Sequence, residues 1–313
     1  MPGARKIIID TDPGQDDAVA ILAAFASPEL DVLAITAVAG NVGLHHTERN
    51  ARAICELAGR RDMRVFAGCD RPTRRPLMEA RHVHGETGLD GPDLPPPTMP
   101  LQPEHAVDVI IEILRTEPSG SVTLAALGPL TNIATALGRA PDIASRIAEI
   151  VFMGGAYFEL GNVTPVAEFN IYVDPDAAAD VFACGAKITS MPLDVTHRAL
   201  ATPERVSAFQ AAGNPAGAAI SQLTAFRDRQ DPERYGGIGV PLHDPCVIAY
   251  LLEPDLFAGR FVNLEVETGS ELTRGMTVAD WWRRTDRQPN ATFMREIDAE
   301  GYFRLLAERI ARL

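Results

Sequence analysis

Four aspartates lie within eight positions near the start of the chain, in the run IIIDTDPGQDD at residues 7–17. They are Asp10, Asp12, Asp16 and Asp17, arranged as two pairs with a Pro-Gly turn between them. Carboxylates this close together repel one another at neutral pH unless a cation or a proton relieves the repulsion. Hard cations prefer oxygen ligands, and Ca²⁺ tolerates bidentate carboxylates and carbonyls that Mg²⁺ accommodates poorly. The run therefore predicts a metal site in which Asp12 and Asp17 face one cation.

The aspartates could instead belong to an EF-hand, a helix cap or a phosphohydrolase centre. An EF-hand loop starting at Asp10 fails because its twelfth position is Ile21, where a bidentate Glu is required. Capping of a helix would account for Asp16 and Asp17 but not for the first pair. A Mg²⁺-dependent phosphohydrolase of the haloacid dehalogenase type would use Asp10 as its nucleophile, and it remains an alternative. The chain has only two lysines for such a reaction, and Pro-Gly follows the aspartate pair.

A further ligand is needed to complete the coordination of a cation. Asp244, in LHDPCVIAYLLEP, is the best candidate, with His243 beside it at the start of a helical run. A histidine titrates near neutrality, so this neighbour could also donate a proton in catalysis.

The elements that must position these residues follow from the hydrophobic pattern. Continuous apolar runs are typical of strands buried on both faces of a parallel sheet. They are KIIID, VLAITAVAG, SVTLAAL, IVFMGG, KITSMPLD and FVNLEVE. Helical patterns with suitable end signals lie between many of them, which predicts an α/β fold with a mainly parallel central sheet flanked by helices. The polar candidates follow strands, where such sheets bind ligands.

The domain organisation is predicted to be a single unit covering residues 1–313. The proline-rich stretch 90–103 is expected to be a surface loop, because the strand and helix pattern resumes after it. Residues 203–240 are helical and polar, which suggests a helical flap near the site. The C-terminus is predicted to end in a strand followed by an amphipathic helix.

Composition and charge disfavour several classes of partner. The chain has 42 acidic and 29 basic residues and a net charge of −13, which disfavours nucleic acid polymers and anionic membrane surfaces. Its four cysteines are scattered and predict reduced thiols rather than disulfides or a zinc site. Neither a signal peptide nor a membrane-spanning run is apparent, so we expect a cytoplasmic protein.

The sequence resembles the inosine-uridine preferring nucleoside hydrolases over nearly its whole length. DTDPGQDDA resembles the N-terminal signature of that family, and six further motifs follow in the family's order. They are AVAGN, HGETGLDG, ALGPLTNIA, FMGG, GNVTPVAEFNIYVDPDAA and LHDPCVIAYLLEP. The resemblance implies a Rossmann-like nucleoside hydrolase fold and hydrolysis of the N-glycosidic bond of ribonucleosides to ribose and free base.

The resemblance also implies a set of metal ligands. Ca²⁺ would be bound by Asp12, Asp17, Asp244 and the main-chain carbonyl of Leu127. The family usually has Thr at that last position, and the carbonyl ligand does not depend on the side chain. Asp10 would be a supporting carboxylate behind the ligands.

Substrate contacts are implied for a second set of residues, several of which would hold the ribose hydroxyls. Amides and carboxylates are suited to that role because a sugar presents clustered hydroxyl donors and acceptors. The residues implied in the substrate site are Asp16, Asn41, His84, Met153, Asn162, Glu168, Asn170, Tyr235 and His243.

The implied reaction has an oxocarbenium-like transition state. We expect Asp12 to be the general base that activates water. We expect His243 to be the general acid or hydrogen-bond donor to the leaving nucleobase. His84 is a second candidate for that donor, and Tyr235 leans mildly toward pyrimidine bases. The family suggests a homodimer or homotetramer. A non-catalytic nucleoside- or sugar-binding protein remains an alternative.

Overall fold

An eight-stranded sheet runs through the centre of the fold, and two small sheets lie beside it. The structure is a computed structural model that describes residues 3–228 and 238–313. Within these residues the strands are β1 (Arg5–Thr11), β2 (Leu30–Ala37), β3 (Val65–Ala67), β4 (Val122–Ala126), β5 (Ile147–Met153), β6 (Ile188–Met191), β7 (Leu200–Ala201), β8 (Val240–Pro241), β9 (Phe257–Val262), β10 (Leu264–Val266), β11 (Thr277–Ala279) and β12 (Ala291–Ile297).

The large sheet is mainly parallel, as predicted. Its strand order is β3-β2-β1-β4-β5-β6-β12-β9. Neighbouring strands are parallel from β3 to β12, and β9 pairs antiparallel with β12 at one edge. The small sheets are the antiparallel pairs β7–β8 and β10–β11.

Helices cover both faces of the large sheet. In the described residues the α-helices are α1 (Gln15–Phe25), α2 (Leu44–Leu57), α3 (Arg81–His84), α4 (Ala106–Thr116), α5 (Thr131–Arg139), α6 (Phe169–Val173), α7 (Pro175–Phe182), α8 (Leu193–Thr196), α9 (Pro203–Gln210), α10 (Pro215–Asp228), α11 (Pro245–Leu252) and α12 (Ala299–Ile310). None of the helices in this part of the chain is both long and apolar enough to cross a membrane.

Burial on both faces accounts for the continuous apolar strands. Ile7 and Ile9 of β1 belong to the core cluster on one face of the sheet, and Ile8 between them belongs to the cluster on the other face. Because successive side chains of a strand point to opposite faces, an unbroken apolar run is what a strand with two covered faces requires.

The winding of the sheet creates the crevice that holds the site. From β1 the chain moves outward to β2 and β3 on one side, and β4, β5 and β6 then extend the sheet on the other side. The connections leaving the carboxyl ends of β1 and β4 therefore diverge. Open α/β sheets bind ligands at such a point.

One strand prediction was wrong. FVNLEVE, residues 261–267, was expected to be a single buried strand, but β9 ends at Val262 and β10 begins at Leu264 in a different sheet. Residues 258–261 are exposed because β9 is the edge strand. Helices α9 and α10 confirm the predicted helical character of residues 203–228, and residues 229–237, which include Tyr235, lie outside the described residues.

Candidate active site

A cavity of about 280 Å³ opens at the carboxyl ends of β1, β4 and β5. Carboxylates, amides and imidazoles alternate with apolar side chains around it, which is the lining of a site for a small polar molecule. The lining residues are Asp16, Asn41, Ala80, His82, Val83, His84, Leu127, Met153, Asn162, Val163, Glu168, Phe169, Asn170, Val240, His243 and Asp244. Only Val240 of the predicted flap belongs to this described set.

Four buried carboxylates beside the cavity form the aspartate cluster, defined as Asp12, Asp16, Asp17 and Asp244. Ligand oxygens of Asp16, Asp17 and Asp244 all lie within 4.8 Å of one another, so these three could hold one metal ion. Asp12 is equally buried, and the charges of Asp17 and Asp16 act on it. The structure thus brings the expected ligands Asp17 and Asp244 together and places Asp16 with them, although a ribose contact was expected for Asp16.

The start of α1 fixes two members of the cluster. Asp17 is the third residue of that helix, where its carboxylate accepts hydrogen bonds from the Thr11 hydroxyl at 2.5 Å and the Gly14 amide at 2.9 Å. Asp16 accepts a hydrogen bond at 3.2 Å from the backbone amide of His243. A helix N-terminus favours negative charge, so the fold supports carboxylates at both positions.

Backbone packs closely on both sides of Asp12. Its Oδ2 accepts a hydrogen bond from the backbone amide of Asn41 at 2.7 Å. A Cβ atom at Gly40 would lie 2.1 Å from Asp12 Oδ2, and one at Gly128 would lie 2.3 Å from Asp12 Oδ1. Only glycine at positions 40 and 128 leaves enough space for the Asp12 carboxylate.

The electrostatics of the aspartate cluster fit a divalent cation. Burial raises the pKa of Asp12, Asp17 and Asp244, and repulsion between the carboxylates raises each pKa further. A bound cation would stabilise the ionised forms and remove that repulsion. Since every donor in the set is an oxygen, the chemistry suits a hard cation.

Asp10 lies behind the cluster and does not line the cavity. Its Oδ1 accepts hydrogen bonds from the Thr36 hydroxyl at 2.6 Å and from Asn132 Nδ2 at 2.8 Å. Its Oδ2 is buried and has no hydrogen-bond partner within the described residues. Burial raises the pKa of Asp10 to about 7. A nucleophile must reach its substrate, so this placement does not favour the phosphohydrolase alternative.

Asn170 organises the carbonyl groups on the β4 and β5 side of the cavity. Its Nδ2 donates to the carbonyl oxygen of Leu127 at 2.7 Å and to that of Met153 at 3.1 Å. The Leu127 carbonyl, an expected metal ligand, already accepts this hydrogen bond. A carbonyl oxygen has two lone pairs, so it could serve an ion as well.

Glu168 and Asn162 are held in place by the backbone of their own loop. Glu168 accepts hydrogen bonds from the backbone amides of Gly155, Asn170 and Ile171 at 2.9–3.2 Å. Burial raises the pKa of Glu168 to about 7. The Asn162 side-chain oxygen accepts from the Phe169 amide at 2.8 Å. Both residues line the cavity, where the resemblance implies ribose contacts.

Two buried histidines line the cavity, and Nδ1 of each contacts a buried side chain. His84 Nδ1 lies 2.6 Å from Gln15 Oε1, and His243 Nδ1 lies 2.7 Å from Thr196 Oγ1. Both histidines line the cavity, and their contact with a base stays a prediction.

Sequence reasoning missed the residues that support the site. Gln15 and Thr196 hold the histidines, and Thr36 and Asn132 hold Asp10. Gln15 lies inside the motif DTDPGQDDA and Asn132 lies inside ALGPLTNIA, so both could have been suspected from their positions. Nothing in the local sequence marks Thr36 and Thr196, because their partners are distant along the chain.

Comparison with known proteins identifies the family. The family model for inosine-uridine preferring nucleoside hydrolases matches residues 7–304. Pyrimidine-specific ribonucleoside hydrolase RihA of Escherichia coli K12 is 47% identical over 308 residues, which cover 98% of each chain. The chain belongs to the inosine-uridine preferring nucleoside hydrolase family.

Solved structures agree with this assignment to the nucleoside hydrolases. A purine-preferring ribonucleoside hydrolase from Gardnerella vaginalis superposes with a TM-score of 0.91 at 32% identity, covering 98% of each chain. The plant nucleoside hydrolase PpNRh1 has the same TM-score at 34% identity, covering 98% of this chain and 99% of its own. This nucleoside hydrolase is therefore an enzyme that acts on N-glycosyl compounds, which also disfavours the non-catalytic alternative.

Proposed function

We propose that the enzyme hydrolyses pyrimidine ribonucleosides to ribose and free base with the help of Ca²⁺. The observation that carries the metal requirement is the buried aspartate cluster beside a cavity lined with amides and carboxylates. The size and ligand flexibility of Ca²⁺ match several carboxylates together with a backbone carbonyl.

The preference for pyrimidines rests on relatives and on one residue. RihA, at 47% identity, is named as pyrimidine-specific, whereas the Gardnerella enzyme, at 32% identity, is named as purine-preferring. Tyr235 leans the same way in the sequence. The higher identity to RihA favours a preference for pyrimidines.

In the proposed reaction a water molecule attacks the anomeric carbon of the ribose from the face opposite the base. Asp12 accepts a proton from that water as the carbon–oxygen bond forms and the bond to the base nitrogen breaks. His243 donates a hydrogen bond or a proton to the departing base. When bound, the cation would orient the water and lower its pKa.

We assign ribose binding to Asp16 of the aspartate cluster and to four residues beyond the cluster. Asn41, Asn162, Glu168 and Asn170 would hold the hydroxyl groups and fix the sugar in a reactive geometry. Carboxylates near the ring would stabilise positive charge that develops in the transition state. Because the 2′ hydroxyl is part of this recognition, we expect 2′-deoxynucleosides to be poor substrates.

The experiment that tests the function is an assay of base release from uridine, cytidine, inosine and adenosine. We expect uridine and cytidine to be cleaved fastest, activity to disappear with a chelator, and Ca²⁺ to restore it better than Mg²⁺. Faster cleavage of inosine would reverse the proposed base preference. No release from any ribonucleoside would overturn the function itself.

We further propose a cytoplasmic homodimer or homotetramer that acts in nucleoside catabolism and salvage. The four cysteines support a reducing compartment, since all of them are free and partly or fully buried in the structure. Light scattering coupled to gel filtration would give the mass, and a monomer would contradict the assembly.

A further inference from the structure

The two buried histidines of the cavity are held by side chains of different chemistry. Gln15 binds Nδ1 of His84, and Thr196 binds Nδ1 of His243. Gln15 and Thr196 are buried and do not themselves line the cavity. The partner of one ring nitrogen decides which tautomer a neutral imidazole adopts, and therefore whether the other nitrogen accepts or donates.

The carboxamide of Gln15 can face His84 in one orientation only. Its Nε2 donates to the carbonyl oxygens of His84 at 3.0 Å and Asp90 at 3.3 Å. An oxygen at that position would be repelled by both carbonyls, so the amino group must occupy it. The other end is then the oxygen, which can only accept. His84 Nδ1 must therefore carry a hydrogen, and Nε2 of neutral His84 carries a lone pair.

The hydroxyl of Thr196 leads to the opposite result for His243. Thr196 is fully buried, and within residues 3–228 and 238–313 its hydroxyl has no hydrogen-bond partner other than His243 Nδ1. A buried hydroxyl hydrogen left without an acceptor is costly. Thr196 therefore donates to Nδ1, and neutral His243 carries its hydrogen on Nε2.

We propose that Gln15 and Thr196 are positioning residues that hold His84 and His243 in opposite tautomers. Neutral His84 then accepts a hydrogen bond at Nε2, whereas neutral His243 donates one at Nε2. The inference rests on the proposed function for the identity of the bound molecule. On that basis His84 faces a hydroxyl or N–H group of the nucleoside, and His243 faces an acceptor atom of the base. Neutral His84 cannot be the donor to the leaving base.

The direct test is long-range ¹H–¹⁵N NMR of the histidine rings in the Ca²⁺-loaded, histidine-labelled enzyme without substrate. Signals are assigned by their loss in His84→Gln and His243→Gln. We expect the wild-type spectrum to show hydrogen on Nδ1 of His84 and on Nε2 of His243. The same tautomer at both residues would overturn the proposal, and this measurement needs no other variant to fold.

Matched variants separate the two arms of the proposal. Gln15→Leu should change the His84 tautomer alone, and Thr196→Val should change that of His243 alone. Each variant should lose roughly 10- to 100-fold in kcat/KM, the usual scale for a residue that orients a catalytic side chain. Thr196→Ser keeps the hydroxyl and should restore both the tautomer and most of the activity. An unchanged tautomer in Gln15→Leu or Thr196→Val would contradict the corresponding arm.

A control separates positioning from general loosening of the loop. Thr87→Val removes the hydrogen bond from the Thr87 hydroxyl to Asp90, in the turn that Gln15 also holds, but leaves the contact between Gln15 and His84. We expect His84 to keep its tautomer in this variant. Because the NMR measurement uses no substrate, its failure would leave ribonucleoside hydrolysis intact, and a lack of hydrolysis would leave the measured tautomers valid.

Discussion

The aspartate cluster and the histidine side of the cavity, defined as His82, His84 and His243, are positioned by different means. Strand ends, the start of α1, the Thr11 hydroxyl and close backbone packing hold Asp12 and Asp17. The histidines lie at a short helix within a loop and just before α11, where single side chains orient two of them. Backbone amides and close backbone packing thus make most of the contacts to Asp12, Asp16 and Asp17. Side chains hold the two histidines that would meet the nucleobase.

The different supports match two requirements of the enzyme, which are to hold repelling carboxylates together and to recognise a nucleobase. The carboxylates must withstand mutual repulsion, which requires rigid support from the backbone. Recognition of a base requires hydrogen-bond directions that can change with a single substitution. We therefore expect the aspartate cluster to determine the reaction and the histidine side to determine the preferred base.

The largest expected effect comes from replacing Asp12, the proposed general base. Asp12→Asn should lower kcat for uridine roughly 10²- to 10⁴-fold, because an amide does not accept a proton from water. The same change removes one charge from the repelling cluster, so the metal-free protein should resist urea better than wild type. Steady-state kinetics and urea denaturation with a chelator measure both effects. A greater loss of kcat in Asp16→Asn would transfer the role of base to Asp16.

The next largest effect is a dependence of the free energy of unfolding on pH, caused by Glu168. Burial raises the pKa of its carboxyl from 4.5 to about 7, so the folded protein binds a proton there more tightly than the unfolded chain does. The contribution of Glu168 to the free energy of unfolding should therefore fall by about 3 kcal/mol as pH rises from 4.5 to about 7. Chemical denaturation of metal-free protein across this range measures the slope.

Glu168→Gln is the matched variant for that measurement. The glutamine cannot ionise, so the difference between the two pH profiles isolates Glu168. Asp10, whose pKa is also raised to about 7, contributes equally to both proteins. Parallel profiles would mean that Glu168 titrates at an ordinary pKa.

Ca²⁺ bound at the aspartate cluster should raise the free energy of unfolding by a similar amount. At a Ca²⁺ concentration of about 100 Kd the expected stabilisation is about 2.7 kcal/mol, and for a chain of this size the thermal midpoint should rise by about 5 °C. Differential scanning calorimetry with Ca²⁺, Mg²⁺ or a chelator measures it. An equal rise with Mg²⁺ at the same concentration would contradict the proposed choice of ion.

The smallest effect is expected at the exposed edge of the histidine side. His82 lines the cavity but is exposed to solvent, so a hydrogen bond from it to a ligand competes with water. His82→Ala should raise KM for uridine only about two- to fivefold, with kcat unchanged. A large fall in kcat would place His82 in the reaction rather than at the entrance.

The sequence predicted the aspartate cluster better than its supports. Asp12, Asp16 and Asp17 follow a buried strand, and the position of a site at the carboxyl ends of parallel strands is a general rule. The mainly parallel sheet and the helices of the first two thirds followed from the same pattern, whereas the order of the strands did not. Asp244 was found because a histidine and a helix start lie beside it.

The sequence did not predict contacts between residues that are far apart along the chain. Gln15 meets His84 across 69 residues, Thr196 meets His243 across 47, and Asn132 meets Asp10 across 122. Local patterns carry no signal for such pairs. The exposed β9 was misjudged for a related reason, since whether a strand lies at the edge of a sheet depends on which strands arrive later in the chain.

The packing of Gly40 and Gly128 against Asp12 also affects how mutational data on this enzyme should be read. Neither glycine lines the cavity, yet an added methyl group at either would overlap the Asp12 carboxylate. A saturation screen scored by activity would mark both positions as intolerant, alongside the residues that touch the nucleoside. The functional footprint of this enzyme is therefore wider than its contact surface, and a designer who grafts the site onto another scaffold must copy the two glycines with the four aspartates.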